Sequence, residues 1–300
     1  MRLNPTLEAM RTYPFVRLTQ AKNERIALGE QVVDFGVGEP REETPAFIRR
    51  ALADAIEPMS TYPAADGLPE LRDAIASWAG RRFGTALDPD TEVVPTLGSK
   101  EAIFHLAQVV GPGSVAVTTP GYPVPERGAL FAGREVVAAP LLADRSFLPD
   151  LDALPLDALA LLWLNYPNNP TAATVPLGFL DRAARLAREH GFVLASDEAY
   201  SEIFFGPDPP ASALALNDRT NVVAFNTLSK RSSMPGYRSG FAAGDPQIVA
   251  ALKRYRPNVG VAPQEFVQRA AVAAWGDEDH VDAVRQVYRA KRDVVLPAFE

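Results

Sequence analysis

From about position 90 the hydrophobic pattern alternates between two periods. Short apolar and β-branched runs at 92–96, 114–118, 135–138, 158–164, 192–196, 221–226 and 238–243 predict strands. Stretches of helical periodicity at 99–110, 125–131 and 176–190 fall between them. The run ALALLWL at 158–164 is apolar throughout, as in a strand covered on both faces. This alternation predicts an α/β fold: a mostly parallel sheet with helices on both faces.

The flanks read differently. An irregular arm leads into a short helix at 17–27, then an extended run at 31–35 that GVGEP (36–40) breaks. A helix is predicted over 44–57, with Thr44 as cap and Pro45 in the first turn. Another is predicted over 68–83, with Leu71, Ile75, Trp78 and Ala79 on one face. After Pro246 the chain reads as helices at 246–255, 263–275 and 277–299. The expected organisation is an N-terminal arm with part of a small domain over 1–40 and a large domain over 41–275. Residues 276–300 read as a connecting helix into a C-terminal small domain that is mostly absent.

Composition narrows the chemistry. At 300 residues and 47% hydrophobic content the chain can bury a large core. A net charge of −7 argues against nucleic acid or an anionic membrane as partner. The absence of cysteine removes disulfides, thiolate catalysis and cysteine-ligated zinc. His105, His190 and His280 lack metal-site spacing, so no metal is expected. With no apolar leader and no membrane-length run, the expected location is cytoplasmic.

In such sheets ligands sit outside the carboxyl ends of the strands, so the residues after each strand matter most. Gly98-Ser99-Lys100 opens a helix whose free N–H groups suit a phosphate; taken alone, it reads first as an ordinary helix start capped by Ser99. Tyr122 can stack on a cofactor ring or pack beneath its loop. NYPNNPT (165–171) forms a proline-stiffened turn that fixes asparagine amides. Asp197 ends a buried strand, where a carboxylate is costly unless it meets a cation such as a protonated pyridine or caps a following helix. Tyr200 is placed to donate to a phenolate oxygen. After 221–226 come Thr227 and Ser229, phosphate donors, then the amine of Lys230, then Arg238, a bidentate phosphate ligand. Alone, Lys230 reads as a solvated loop lysine. Together the strand ends supply a phosphate cradle, a stacking ring, a counter-ion for a pyridinium and a nucleophilic amine.

The order of NYPNNPTA (165–172), SDEAY (196–200) and SKRSSMPGYRSGF (229–241) resembles the class I/II aminotransferases, fold type I of the pyridoxal-phosphate enzymes. The resemblance runs from about Val33 to the end. It implies pyridoxal 5'-phosphate as cofactor and Lys230 as the Schiff-base lysine. Asp197 matches the carboxylate at the pyridine nitrogen, and Tyr200 the phenol at the ring oxygen. Asn169 matches the asparagine at that oxygen and at the substrate carboxylate. Ser99 and Lys100 match the phosphate loop, Thr227 and Arg238 its hydroxyl and guanidinium, and Tyr122 the stacking ring. Gly38 matches a glycine beside the substrate. Tyr62 matches a tyrosine that reaches the neighbouring subunit's phosphate, which implies a homodimer.

LNPTLEAMRTYPF, YPAADGLPELRDAIASW and AAWGDEDHVDAVRQVYRAKRDVVLP resemble, more narrowly, the succinyldiaminopimelate aminotransferases of bacterial lysine synthesis. That implies small-molecule amino and keto acid substrates: glutamate as donor and N-succinyl-2-amino-6-oxopimelate as acceptor. Two departures stand out. Ala172 replaces a more usual glycine, and the arginine that the family's C-terminal domain gives to the substrate carboxylate is not expected in this chain. Rival readings are an aspartate- or alanine-type aminotransferase, a β-lyase with the same cofactor residues, and a regulatory module of this fold. The last is disfavoured because no DNA-binding domain precedes the fold. A nicotinamide-type oxidoreductase is disfavoured by the missing GxGxxG helix.

Overall fold

The structure is a computed structural model that describes residues 1–10, 14–36 and 38–299. By its internal contacts the chain divides into two units, Met1–Arg41 and Glu42–Glu300. The first holds α1 (Pro5–Ala9) and α2 (Pro14–Ala27). Residues 31–35, predicted extended, join no sheet and are exposed. Asp34 instead turns back to pair with Lys22 of α2 at 2.9 Å and accepts the Gly36 N–H at 2.8 Å. Val37, within the predicted break, lies outside the described residues.

The second unit begins with α3 (Ala46–Asp54) and α4 (Pro69–Phe83). Thr44 does not cap α3: Pro45 holds that position, and the Thr44 hydroxyl donates to the Ser233 carbonyl at 2.6 Å. Then follow β1 (Val93–Thr96), α5 (Ser99–Val109), β2 (Ser114–Thr119), α6 (Val124–Phe131), β3 (Val136–Pro140) and β4 (Leu159–Asn165). The chain continues through α7 (Leu177–His190), β5 (Val193–Asp197), β6 (Val222–Thr227), α8 (Leu228–Arg231) and β7 (Gly240–Gly244). It ends in α9 (Pro246–Tyr255), α10 (Glu265–Trp275) and α11 (Asp279–Val295). The last helix closes in a 3-10 turn at Leu296–Ala298, where the sequence predicts one continuous helix.

Seven strands form one sheet in the order β1-β7-β6-β5-β4-β2-β3. All pairings are parallel except those of β7, which runs against both of its neighbours. Successive side chains of a strand face opposite sides, and both sides are covered. Leu162, Leu164, Val222 and Ala224 join one core with Trp78 of α4, Ala184 of α7 and Trp275 of α10. Leu161, Trp163, Val223 and Phe225 join the other with Ile103 of α5 and Leu252 of α9. Every residue of β4 is buried, which accounts for its unbroken apolar run. Trp78, Trp275 and Phe241 meet edge-on or tilted at centroid separations of 4.6 to 5.9 Å within the first core.

Candidate active site

Sheet register lines up the functional strand ends. Asn165 of β4 lies beside Asp197 of β5, and Asp197 beside Phe225 of β6. Thr227 of β6 and Thr96 of β1 both lie beside Gly240 of β7. One edge of the sheet therefore collects the turns that begin after Thr96, Asn165, Asp197 and Thr227.

Asp197 is only 3% exposed. Its Oδ1 accepts the Ala199 N–H at 3.2 Å, the capping contact that its position also allowed. No cation lies within ion-pair distance of it among the described residues, and burial pushes its carboxyl up to about 7. Glu198 is equally buried and turns elsewhere. It accepts from Ser196 Oγ (2.8 Å), Ser212 Oγ (2.6 Å) and the Ala213 N–H (2.8 Å). Burial outweighs these bonds and pushes its carboxyl up to about 7 as well. Tyr200 is half-buried; burial first, then the charge of Asp197, raise the pKa of its phenol.

Lys230 does not sit in a loop. It lies in α8, a single helical turn whose start is capped by Thr227, with Thr227 Oγ1 accepting the Ser229 N–H at 3.2 Å. Lys230 is half-buried, and its Nζ lies 5.8 Å from the centroid of the Tyr200 ring. The Thr227 hydroxyl is committed to the Ser239 carbonyl at 3.0 Å and lies 2.9 Å from Ser229 Oγ.

The turn after β1 meets Arg238. Gly98, at φ +67°, holds the N-cap of α5, and Ser99 is already helical. Arg238 donates to Leu97 O at 3.2 Å and to Pro235 O at 2.9 Å. A Cβ on Gly98 would lie 2.5 Å from Arg238 Nη2, and one on Gly240 would lie 2.9 Å from the Ser99 nitrogen. The start of α5 and the entry to β7 thus approach as only glycines allow. Ser99 is buried there and Lys100 exposed.

Asn169 is half-buried, and its N–H donates to Asn165 Oδ1 at 3.0 Å. Asn165 also donates from Nδ2 to the Asp197 carbonyl at 3.1 Å, a tie the sequence reading did not single out. The available signal was an amide closing an otherwise apolar strand. Tyr122 follows β2 and is half-buried against the second core. Tyr62 is fully exposed between α3 and α4, and Gly38 belongs to the first unit. A cavity of about 710 Å³ opens beside Asn169 and Tyr200, with Ile203, Phe204 and Phe205 in its wall. These apolar residues also escaped the sequence reading, because nothing in their spacing marks a ligand.

The mostly parallel sheet thus brings a half-buried amine, a buried carboxylate and a glycine-lined helix start to one edge, the amine and the helix start being donors of the kind that suit an anionic ligand. Known proteins agree. Over 98% of this chain the structure superposes on 79% of an aminotransferase from Neisseria meningitidis, with a TM-score of 0.91 and 35% identity. A probable N-succinyldiaminopimelate aminotransferase from Thermus thermophilus gives a TM-score of 0.84 at 30% identity, covering 92% of this chain and 77% of that one. An LL-diaminopimelate aminotransferase from Nitratidesulfovibrio vulgaris is 39% identical over 308 aligned residues, covering 99% of this chain and 79% of the relative. Residues 30–300 match the family of class I and II aminotransferases, and the chain belongs to it. It is a pyridoxal-phosphate-dependent transaminase.

Proposed function

We propose that Lys230 is the amine that binds the cofactor and then moves the proton, and that the substrate is a diaminopimelate-type amino acid. The observation that carries this reading is Asp197: a buried carboxylate without a cationic partner among the described residues, on the strand beside the one that leads into Lys230. The donor set fits pyridoxal phosphate. Asp197 suits a protonated ring nitrogen, whose charge would return its carboxyl toward the ordinary range. Tyr200 and Asn169 supply donors for the ring oxygen. The start of α5 at Ser99 and Lys100, the Thr227 hydroxyl and the Arg238 guanidinium supply donors for the phosphate, and a Cβ at Gly98 would press on that guanidinium. Tyr122 stacks on the ring.

Pyridoxal phosphate supplies the aldehyde that takes up the amino group and a ring that accepts the electron pair released at the substrate Cα. The chain does the rest. Lys230 Nζ would hold the cofactor's aldehyde and, once free, would serve as the base that takes the proton from the substrate Cα. Asp197, itself buried, would hold the charge of the ring nitrogen where a counter-ion is worth most. Asn169 orients the substrate carboxylate. Tyr62 reaches the neighbouring subunit of a homodimer, and the enzyme works in the cytoplasm.

For the substrate, the relatives at 37–39% identity that cover nearly the whole chain carry the name LL-diaminopimelate aminotransferase, which favours the free diamino acid. The N-succinyl form is the second reading, favoured by the sequence motifs and by the Thermus structure. Both place the enzyme in lysine synthesis.

Borohydride reduction of the holoenzyme followed by peptide mapping tests the site. The label is expected on Lys230, and a label elsewhere would sink the assignment. Amino transfer to 2-oxoglutarate from LL-diaminopimelate and from its N-succinyl derivative, compared by kcat/KM, decides the substrate. Activity with neither would end the diaminopimelate reading.

A further inference from the structure

The residues just after Lys230 are held by a closed hydrogen-bond ring that reaches the corner between α10 and α11. Arg231 is 1% exposed, lying 4.9 Å from the Trp275 ring and 5.7 Å from that of Trp78. Its Nη1 donates to Ala274 O (2.8 Å) and Ser232 Oγ (3.3 Å), and its Nη2 to Asp277 O (3.2 Å) and Glu278 Oε1 (2.5 Å). A guanidinium this deep is costly, and an apolar side chain could fill the same space.

His280 completes the ring. Its Nδ1 lies 2.6 Å from Asp277 Oδ1 and its Nε2 lies 2.8 Å from Ser232 Oγ. A carboxylate only accepts, so Nδ1 carries the hydrogen. In the uncharged imidazole, the form that burial favours by lowering its pKa, a hydrogen on Nδ1 leaves Nε2 to accept. The Ser232 hydroxyl must therefore donate to His280 while accepting from Arg231. The circuit runs Arg231, Ser232, His280, Asp277 and back to Arg231. The Phe47 ring meets the imidazole edge-on at 5.5 Å and fixes its plane.

The segment so held is strained. Ser233 has φ +51°, a conformation that is costly for a β-carbon-bearing residue and persists only when its surroundings impose it. The ring grips Ser232 on one side, and Thr44 binds the Ser233 carbonyl at 2.6 Å on the other. Both grips act within three residues of Lys230.

We propose that His280 is a positioning residue for Lys230: with Arg231 and Ser232 it latches α8 to the α10–α11 corner and so fixes where the amine lies. The inference rests on the reading of Lys230 as the cofactor's amine.

His280→Phe keeps the ring packing and removes the acceptor; His280→Gln retains a carbonyl oxygen able to accept from Ser232; Ser232→Ala cuts the same bond from its other end. In the holoenzyme, His280→Phe and Ser232→Ala are expected to lower kcat about tenfold to a hundredfold, with KM within about twofold. Both should slow borohydride trapping on Lys230, and the double variant should be no worse than the worse single one. His280→Gln should restore most of the loss. Wild-type kcat and trapping in the folded variants would overturn the inference, even if melting temperature fell. If His280→Phe does not fold, the milder Ser232→Ala decides alone. A label on another lysine in the unaltered protein would instead sink the reading of the site, and the positioning role with it.

Discussion

The side chain of Asn165 joins two strand ends: its Nδ2 donates to the Asp197 carbonyl at 3.1 Å while its Oδ1 accepts the Asn169 N–H at 3.0 Å. One amide thus sets the spacing between the proposed counter-ion and the proposed ring-oxygen ligand. Asn165→Ala leaves both backbone groups without that partner in a buried place. We expect a loss of about 1–3 kcal/mol of stability and at least a tenfold fall in kcat. Urea unfolding and steady-state kinetics measure the two. Unchanged kcat in a destabilised variant would confine Asn165 to a structural role.

Asp197→Asn removes the charge and keeps the shape. In the holoenzyme kcat should fall at least about a hundredfold, because an amide cannot hold a pyridine nitrogen protonated. In the cofactor-free protein the same change removes a buried acid, so stability at about pH 8 should rise or hold. A variant with near-normal turnover would argue against the counter-ion role.

The two buried carboxyls also fix a pH dependence. Asp197 and Glu198 rise from 3.8 and 4.5 to about 7 in the folded chain. Between those values the folded state binds more protons than the unfolded one. The stability they contribute is thus fully present below their unfolded values and is lost as pH climbs through about 7. His280, whose pKa is lowered from 6.5, works the other way: the unfolded chain gains protons first, so stability falls as pH drops below that value. We expect the cofactor-free protein to be less stable at about pH 8 than at about pH 6.5, and cofactor to narrow the gap by giving Asp197 a cation. Urea midpoints at the two pH values, with and without cofactor, check this. A gap that cofactor leaves unchanged would leave Asp197 outside the cofactor site.

Alanine at two glycines should separate cradle from scaffold. At Gly98 a Cβ would meet the Arg238 guanidinium, the far end of a flexible side chain that can move aside. We expect weaker cofactor binding, by about tenfold, and a cost of about 1 kcal/mol for the positive φ. At Gly240 the nearest atom is the Asn226 carbonyl at 2.5 Å, which is backbone and cannot yield cheaply. That variant should lose stability more than affinity. Cofactor titration and thermal melting distinguish them, and equal effects at both sites would remove the special place of Arg238.

Much of this was legible before any coordinates. Buried strands such as β4 announce themselves because both faces need apolar residues, and their ends point to the chemistry. Asp197, Tyr200, Lys230 and Arg238 all fall at one sheet edge as the strand pattern implied. What stayed hidden depends on distant partners. Thr44 looks like a cap until Ser233, 189 residues away, takes its hydroxyl. The run at 31–35 has strand composition but no strand beside it among the described residues. Nothing in the sequence marks Arg231, and only the meeting of α4, α10 and the Lys230 turn shows it buried against two indoles. Lys230 itself reads as a loop residue because one helical turn is too short to show a period.

The reversed direction of β7 has a mechanical consequence. In an all-parallel sheet the chain would leave the site after Lys230 and re-enter it only after a long crossover. Here it turns back at once, so the proposed amine and the proposed phosphate grip sit eight positions apart on one covalent tether. The tether is pinned at Ser233 by Thr44 and at Leu97 by Arg238. On the proposed roles, one short segment of chain addresses both the cofactor's reactive carbon and its phosphate.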